Sequence, residues 1–257
     1  MGPIITITTD FGTADGYQAV LEGIIAGINP EARVVNISQE IAPGDIAEGW
    51  YMLKTHHYYF PPGTVHLAIV DPGVGSRRKI ITVRTRRYQF VAPDNGLLSF
   101  IPKKDILSIH SVTNRKYALA DISPVFHGRD IMAPAAAYLS RTVDPACLGR
   151  SCQKIVDLPG VRPKVTKAGI RGRVLRVDRF GNLITNIDAT RVDVSGTVSV
   201  NGQDLGSLRL TFSDVRPGKP LAYIGSGSHL EIAVRDGSAF HYFLPAEGDE
   251  IQIFVAR

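Results

Sequence analysis

Two patterns of hydrophobic and polar residues alternate along the first 157 residues. Runs rich in β-branched residues predict strands at residues 4–9, 33–38, 65–71 and 79–85, with further apolar runs at 88–101 and 105–112. Apolar residues at helical spacing predict helices within residues 15–30, 44–63 and 127–141. Strands alternating with helices predict an α/β domain with a mostly parallel sheet between helices.

Four residues mark helix boundaries in this region. Asp45 is suited to cap the start of the second helix, and Asn29-Pro30 ends the first. The third helix contains Pro134, which a helix tolerates only in its first turns. We therefore expect Pro134 to lie near the start of that helix.

The pattern changes at residue 158. Residues 158–170 are rich in Pro, Gly and Lys, which is typical of a linker. Short strands separated by turn signals follow, and Asn201-Gly202 favours a hairpin. We predict an α/β domain at residues 1–157, a linker at 158–170 and an all-β antiparallel barrel at 171–257.

Composition adds little to this picture. The chain has 257 residues, 44% of them hydrophobic, and a net charge of +5, which is typical of an ordinary globular protein. The basic residues are spread along the chain, so an anionic partner is permitted and not required. The densest basic groups, which we interpret as solvated surface, are Arg84, Arg86, Arg87, Lys103 and Lys104.

Several classes of protein are disfavoured. No apolar run reaches the length of about 18 residues that a membrane helix needs, and no signal peptide precedes the first strand. We expect a cytoplasmic protein without a membrane partner. The histidines lack metal-ligand spacing, and the spacing of Cys147 and Cys152 fits neither a redox motif nor half a zinc site. We therefore predict no metal.

Carboxylates stand at the ends of two predicted strands. Asp10 and Asp71 each follow an apolar run and precede a glycine-containing turn, and Asp94-Asn95-Gly96 follows another run. Each aspartate alone is explained by turn capping. Because ligands of open α/β sheets bind beyond the carboxyl ends of strands, the repeated arrangement favours a ligand site.

Three other segments carry candidate chemistry. The DPGVGSRR segment lacks the spacing of a nucleotide-phosphate loop, so its glycines are assigned to a tight turn close to a ligand. His127 precedes a helix, which favours a neutral imidazole, as either a capping or a functional group. Polar residues surround Phe180 in VDRFGNLITNI, a set that suits a flat heterocycle.

Six segments, taken together, resemble the S-adenosyl-L-methionine hydroxide adenosyltransferases over nearly the whole chain. These segments are TTDFGTADGY, VDPGVGSRRK, PDNGLL, FHGRD, DRFGNLITNI and GSGSHLEIAV. The resemblance implies hydrolysis of S-adenosyl-L-methionine to adenosine and methionine, without a cofactor. It also implies a homotrimer whose active site lies at a subunit interface. It places the catalytic roles, around an attacking water, on Asp71, Arg78 and His127.

The resemblance also assigns substrate-binding residues. Asp10 would bind the ribose hydroxyls, Asp15 and Asp178 the methionine ammonium, and Phe180 would stack on adenine. The remaining assigned residues are Tyr17, Asn95, Asn182, Ser226 and Glu231. Halogenating relatives carry tyrosine in place of Asp71 and serine in place of Gly128, so water is the expected nucleophile.

Alternative functions remain open at the level of sequence. A halide-using adenosyltransferase is disfavoured by Asp71 and His127. A nucleic-acid-binding barrel would use the basic residues of IRGRVLRVDRFG, but it leaves the strand-end carboxylates unexplained, since they repel phosphate. A non-catalytic sensor of adenosine or S-adenosylmethionine would bind without turnover. We expect the small-molecule substrate and no nucleic acid.

Overall fold

The computed structural model describes residues 2–192, 196–244 and 251–256, and the chain divides into two compact units, Met1–Leu158 and Pro159–Arg257. Met1 and Arg257, the outer limits of the predicted domains, lie outside the described residues. Residues 158–170, predicted as a linker, include a short strand that pairs with the strand after it. Among the described residues, no helix combines the length and apolar character needed to cross a membrane.

The first unit is built on a six-stranded sheet with the strand order β2-β1-β3-β5-β4-β6. Strands β2, β1, β3 and β5 run parallel, whereas β4 is antiparallel to both neighbours. The predicted mostly parallel sheet is confirmed. The strands are β1 Ile4–Thr9, β2 Arg33–Ser38, β3 Val65–Ile69, β4 Ile80–Thr85, β5 Gln89–Pro93 and β6 Ile106–Ser111.

Helices cover both faces of this sheet. They are α1 Tyr17–Ile28, α2 Ile46–His56, α3 Ala133–Ser140 and the one-turn α4 Pro145–Leu148. Residues of α1 and α3 share a buried cluster with Ile5 and Ile7 of β1. Because side chains alternate along a strand, Thr6 lies on the opposite face. There it contacts His66, whose ring lies 5.9 Å from that of His57, just after α2.

The predicted helix boundaries agree with the structure. Asp45 caps α2, its carboxylate accepting a hydrogen bond from the Glu48 amide at 2.9 Å. The third helix opens with a π-helical turn at Gly128–Met132, and Pro134 lies in the first turn of α3. Proline is tolerated there because the Asp130 carbonyl, four residues before it, accepts from the Leu119 amide at 2.8 Å and needs no donor at position 134.

The second unit is an antiparallel sheet ordered β11-β10-β14-β8-β9-β13-β12, with β7 paired to β8. An isolated bridge from Arg209 to Tyr223 of β12 nearly closes the sheet, so the predicted antiparallel barrel is confirmed. Asn201 and Gly202, both at positive φ, form the predicted hairpin turn. The elements are β7 Lys164–Val165, β8 Gly169–Val177, β9 Leu183–Asp188, β10 Thr197–Val200, β11 Gln203–Ser207, β12 Pro220–Ile224, β13 His229–Val234, α5 Ala239–Tyr242 and β14 Gln252–Ala256.

Candidate active site

A cleft of about 470 Å³ lies where β1 and β3 of the first unit end. Parallel strands bring their carboxyl ends to the same edge of a sheet, which is where α/β proteins bind ligands. Asp10 follows β1, Asp71 follows β3, and both face the cleft. It is lined by Asp10, Phe11, Tyr17, Pro43, Gly44, Ile69, Asp71, Pro72, Val74, Val125, Phe126, His127 and Gly128.

Asp71 is held by a two-pronged contact with Arg78. Arg78 Nε donates to both carboxylate oxygens at 2.9 Å, and its Nη2 donates to Oδ2 at 2.5 Å. The two side chains are only 6% and 10% exposed. The turn after Asp71 returns the chain towards Arg78, with the Val74 amide donating to the Asp71 carbonyl at 3.1 Å. The guanidinium therefore fixes the orientation of the carboxylate.

Arg78 also connects Asp71 to His127. Its Nη2 lies 3.0 Å from His127 Nδ1. Since a guanidinium only donates, Nδ1 is the acceptor, and the proton of the neutral ring is on Nε2. Burial and the nearby charge of Arg78 lower the pKa of His127, against the opposing effect of Asp71 and Asp130. The neutral imidazole predicted at this helix start therefore agrees with the structure.

The backbone that carries His127 is supported by Asp130. This carboxylate is fully buried and accepts from the Ser123 amide at 2.8 Å and from Arg129 Nε at 2.6 Å. Arg129 in turn lies over the Phe126 ring at 5.0 Å. Asp130 was not assigned from the sequence, although a charged residue in the first turn of an apolar helix was a visible signal.

Asp10 is positioned by the neighbouring loops. Its Oδ2 accepts from the Gly44 amide at 2.8 Å, while Oδ1 has no hydrogen-bond partner within the described part of the chain. The loop after Asp10 is fixed by Gln39, whose carbonyl accepts from the Gly12 amide at 2.7 Å and whose side chain pairs with Thr9. One carboxylate oxygen of Asp10 is thus available to a ligand.

Three aromatic rings form one wall of the cleft. Tyr17 lies edge-to-face against Phe11 at 5.8 Å and against Phe126 at 5.3 Å, and the two phenyl rings are 5.7 Å apart. Tyr17 was assigned from the sequence, whereas the other two were missed. The sequence nevertheless indicated both phenylalanines, because Phe11 follows Asp10 and Phe126 precedes His127, and both of these are predicted site residues.

Two predicted substrate-binding residues of this unit are not among those lining the cleft. Asp15 is exposed on the loop before α1. Asn95 donates from its amide to the Val70 carbonyl at 2.8 Å and accepts from the Leu97 amide at 3.3 Å. Asn95 therefore fixes the backbone immediately before Asp71.

In the second unit, Asp178 organises the turn after β8. Its Oδ1 accepts from the amides of Phe180 and Asn182 at 2.9 and 2.8 Å, and its Oδ2 accepts from the Asn182 side-chain amide at 2.8 Å. Gly181 takes φ +83° there, a conformation that favours glycine. The turn presents the Phe180 ring, which is 79% exposed. A ring held this way can stack on a flat ligand.

Glu231 and Ser226 come from the other predicted segment of this unit. Glu231 is 7% exposed and accepts from the Tyr223 hydroxyl at 2.6 Å. Burial raises its pKa and the charge of Asp178 adds to this, opposed by the hydrogen bond from Tyr223. A side-chain Cβ at position 225 would overlap the Glu231 carboxylate, so a larger residue than Gly225 would displace that carboxylate. Ser226 is exposed on the adjacent turn.

Metal binding has no support in the described side chains. No group of three or more His, Cys, Asp or Glu residues is arranged there to hold a metal ion. The cleft instead combines fixed carboxylates, a neutral imidazole and an aromatic wall. The Arg78 guanidinium is not among the lining residues and contacts the cleft residues Asp71 and His127. Such a set can orient and deprotonate a water molecule and bind a cationic, partly flat substrate.

Comparison with known proteins identifies two matched regions and several relatives. The SAM hydroxide adenosyltransferase N-terminal domain matches residues 5–149, and the C-terminal domain of that family matches residues 172–252. The chain is 38% identical to the (R)-S-adenosyl-L-methionine hydrolase of Thermus thermophilus, over 93% of this chain and 94% of the relative. It is 27% identical to the fluorinase of an Actinoplanes species, over 90% of each chain.

A solved structure has a fold similar to that of this chain. The crystal structure of an uncharacterized conserved protein from Thermotoga maritima superposes with a TM-score of 0.88 at 33% identity, covering 98% of this chain and 100% of that one. The two family domains match in order, and together they cover most of the sequence. The chain therefore belongs to the SAM hydroxide adenosyltransferase family.

Proposed function

We propose that this protein hydrolyses S-adenosyl-L-methionine to adenosine and L-methionine. The observation that carries the proposal is the fixed Asp71–Arg78–His127 set in the cleft beside Asp10. The names of relatives at 33–38% identity, all (R)-S-adenosyl-L-methionine hydrolases, support it. They also favour the R configuration at sulfur for the substrate of this chain.

The chemistry matches these residue types. A water oxygen attacks the ribose 5′ carbon in line with the carbon–sulfur bond, a C–O bond forms, and the C–S electron pair leaves with methionine as a neutral thioether. Asp71 orients the water and accepts its proton, which then passes to solvent. Because the leaving group departs uncharged, the reaction needs no acid at sulfur and, as proposed, no cofactor or metal.

Arg78 and His127 act around that water. The guanidinium holds Asp71 in one orientation and stabilises negative charge on the water oxygen as it attacks. His127 Nε2 provides a further hydrogen bond at the cleft wall. General base catalysis contributes about 10²- to 10⁴-fold in rate, and positioning of the water supplies the rest.

The substrate-binding roles are part of the proposal. Asp10 Oδ1 would accept from a ribose hydroxyl beside the aromatic wall, and Phe180 would stack on adenine. Asp178 and Asp15 would contact the ammonium group, with Asn95 supporting the loop that carries Asp71. Tyr17, Asn182, Ser226 and Glu231 complete the proposed set.

The quaternary structure follows the family resemblance. We propose a cytoplasmic homotrimer in which substrate lies between the first unit of one protomer and the second unit of its neighbour. Such sharing accounts for assigned substrate residues in both units. Mass measurement in solution tests the trimer. A mixture of Asp71→Asn and Phe180→Ala protomers that regains activity would support a shared site.

The direct test is turnover of the two sulfonium epimers. Purified protein is incubated with S-adenosyl-L-methionine of each configuration, and adenosine and methionine are quantified by chromatography. We expect equimolar products, formed faster from the R epimer. Binding without products would favour the sensor function, and neither binding nor products would contradict the proposed substrate.

The protonation of His127 gives a prediction for pH. Because burial and Arg78 lower the pKa of His127, the ring stays neutral until the pH falls below its ordinary value near 6.5. Protonation then removes the acceptor for Arg78 and places two cations side by side. We expect kcat to decline on the acid side of that value and a His127→Gln variant to lose this limb of the pH–rate profile. An unchanged acid limb in the variant would assign it to another group.

A further inference from the structure

A second cleft lies at the opposite edge of the sheet in the first unit. It has a volume of about 510 Å³ and is formed by the end of α2, the β4–β5 turn and residues 100–105. Strands β3 and β5 begin here, whereas Asp71 follows the end of β3. At about 3.3 Å per residue, the five residues of β3 separate the two edges by about 17 Å. The second cleft is therefore distinct from the candidate active site.

The floor of this second cleft is aromatic. His57 lies 5.2 Å from Phe100 and 5.5 Å from Tyr88, and Phe90 lies 6.0 Å from Phe100, measured between ring centroids. Tyr88 and Phe90 are buried, so the floor is fixed. Two of its polar atoms are already engaged, since His57 Nδ1 contacts the Leu53 carbonyl at 2.9 Å and the Tyr88 hydroxyl donates to the Phe60 carbonyl. The half-buried rings of His57 and Phe100 thus offer surface to an apolar, planar group, with the buried Tyr88 and Phe90 packed against them.

The rim of the cleft is cationic. It contains Lys54, Arg86 and Arg87, against the single carboxylate of Asp105. The Arg87 guanidinium lies 5.3 Å from the Tyr88 ring, at the border between rim and floor. Burial, with a smaller effect of Arg87, lowers the pKa of His57, against the opposing hydrogen bonds to the Leu53 and Lys54 carbonyls. The cleft favours a negatively charged group at its mouth.

Turn geometry does not account for the two arginines. Thr85 and Tyr88 close the turn through a backbone hydrogen bond of 2.9 Å, and the Gly63 amide donates to the Arg87 carbonyl at 2.6 Å. Hairpin turns with two central residues favour Asn-Gly or Asp-Gly, whereas adjacent arginines repel one another. The charges are instead held on a well-fixed backbone beside an aromatic cavity.

We propose that this second cleft binds a small planar anion, an apolar ring system carrying a carboxylate or similar group. The ring would lie against His57 and Phe100, and the anionic group would meet Arg86 and Arg87. A neutral aromatic ligand would leave the rim unused, and a free phosphate would leave the floor unused. The volume lies within the range of small-molecule sites, about 300–1,000 Å³.

The test uses 2-naphthoate and its neutral analogue 2-naphthamide, titrated by calorimetry into the full chain. We expect saturable binding of one 2-naphthoate per chain, about tenfold tighter than 2-naphthamide, as charge-assisted hydrogen bonds imply. The double variant Arg86→Gln/Arg87→Gln should lose about tenfold in affinity for 2-naphthoate and none for 2-naphthamide. Both arginines are exposed, so the variant is expected to fold, which circular dichroism checks.

Two control variants locate the bound probe. Arg84→Gln removes an exposed charge of β4 that does not line the second cleft, and it should leave the affinity unchanged. Asp10→Asn alters the first cleft and should also have no effect, so the outcome does not depend on the proposed hydrolase activity. Equal affinity for the two probes, or an effect of Asp10→Asn, would overturn the proposal. Absence of saturable binding would also overturn it. This includes a result in which variants of Arg86 and Arg87 change the oligomeric mass and no probe binds.

Discussion

Replacing Asp71 with asparagine is expected to reduce kcat for S-adenosyl-L-methionine hydrolysis by about 10²- to 10⁴-fold, the range attributed to general base catalysis. The amide has nearly the same shape, and its oxygen still accepts from Arg78, but its NH2 group cannot, so one arm of the two-pronged contact is lost. It cannot take a proton from water, and it removes the negative charge that faces the sulfonium. KM should change much less than kcat, because the loss falls on the transition state.

The Asp71→Asn measurement needs a matched control and a structural check. Asp121→Asn removes an exposed carboxylate of the same unit and should keep parental kcat. Urea unfolding of both variants establishes that the fold is intact. If Asp71→Asn retained more than about a tenth of parental kcat, Asp71 would not be the base, and the assigned mechanism would fail.

The value of Arg78 lies in how it presents Asp71. A lysine at position 78 keeps the charge but provides a point donor instead of a fork, so it cannot hold both carboxylate oxygens and His127 at once. Because one guanidinium contacts both Asp71 and His127, residues 71, 78 and 127 form one connected set. This connection explains why the set is a stronger indication of catalysis than any one of its members.

The fold was predictable from sequence where the deciding pattern is local. The β-branched run at residues 4–9 and the helical spacing that follows specify β1 and α1 without help from the rest of the chain. The strand order β2-β1-β3-β5-β4-β6 was not predictable, since it depends on pairing between distant segments. The antiparallel placement of β4 follows from the short turn at Arg86 and Arg87, which cannot form a parallel crossover.

The candidate site was predictable to a similar extent. Asp10 and Asp71 are visible as carboxylates at strand ends, so the sheet rule brings them together. The contact between Arg78 and His127 joins residues 49 apart in sequence, and only the family resemblance suggested it. Phe11 and Phe126 were missed because an aromatic residue beside a loop is usually part of a core. Asn95 was assigned to substrate, whereas its side chain is used on the Val70 backbone.

A large effect of pH on stability is expected from His66, which is fully buried. Burial, with a smaller effect of His57, lowers its pKa from 6.5 to about 3. Its Nδ1 lies 2.7 Å from the Thr6 hydroxyl, whereas Nε2 has no partner among the described residues. The charged ring would therefore place an unpaired N–H in the core.

The sign of this effect follows from proton binding in the two states. Below pH 6.5 the unfolded chain takes up a proton at His66 that the folded chain does not bind until about pH 3. The unfolded state is thus favoured increasingly as the pH falls through this window, by up to about 1.4 kcal/mol per pH unit. At pH 4 the loss amounts to about 3 kcal/mol, a large fraction of the 5–15 kcal/mol typical of a folded protein.

A pair of variants isolates the contribution of His66 from that of the carboxylates. His66→Phe keeps a ring against Phe90 and cannot titrate, whereas Thr6→Val removes the hydrogen bond and leaves the histidine buried. Free energies of unfolding are measured in urea from pH 7 to pH 4. Both variants should be less stable than the parent at pH 7. The free energy of unfolding of Thr6→Val should fall with pH in parallel with that of the parent. The difference in free energy of unfolding between the parent and His66→Phe should narrow by about 3 kcal/mol between pH 7 and pH 4. Parallel curves for all three proteins would show that His66 is not the group responsible.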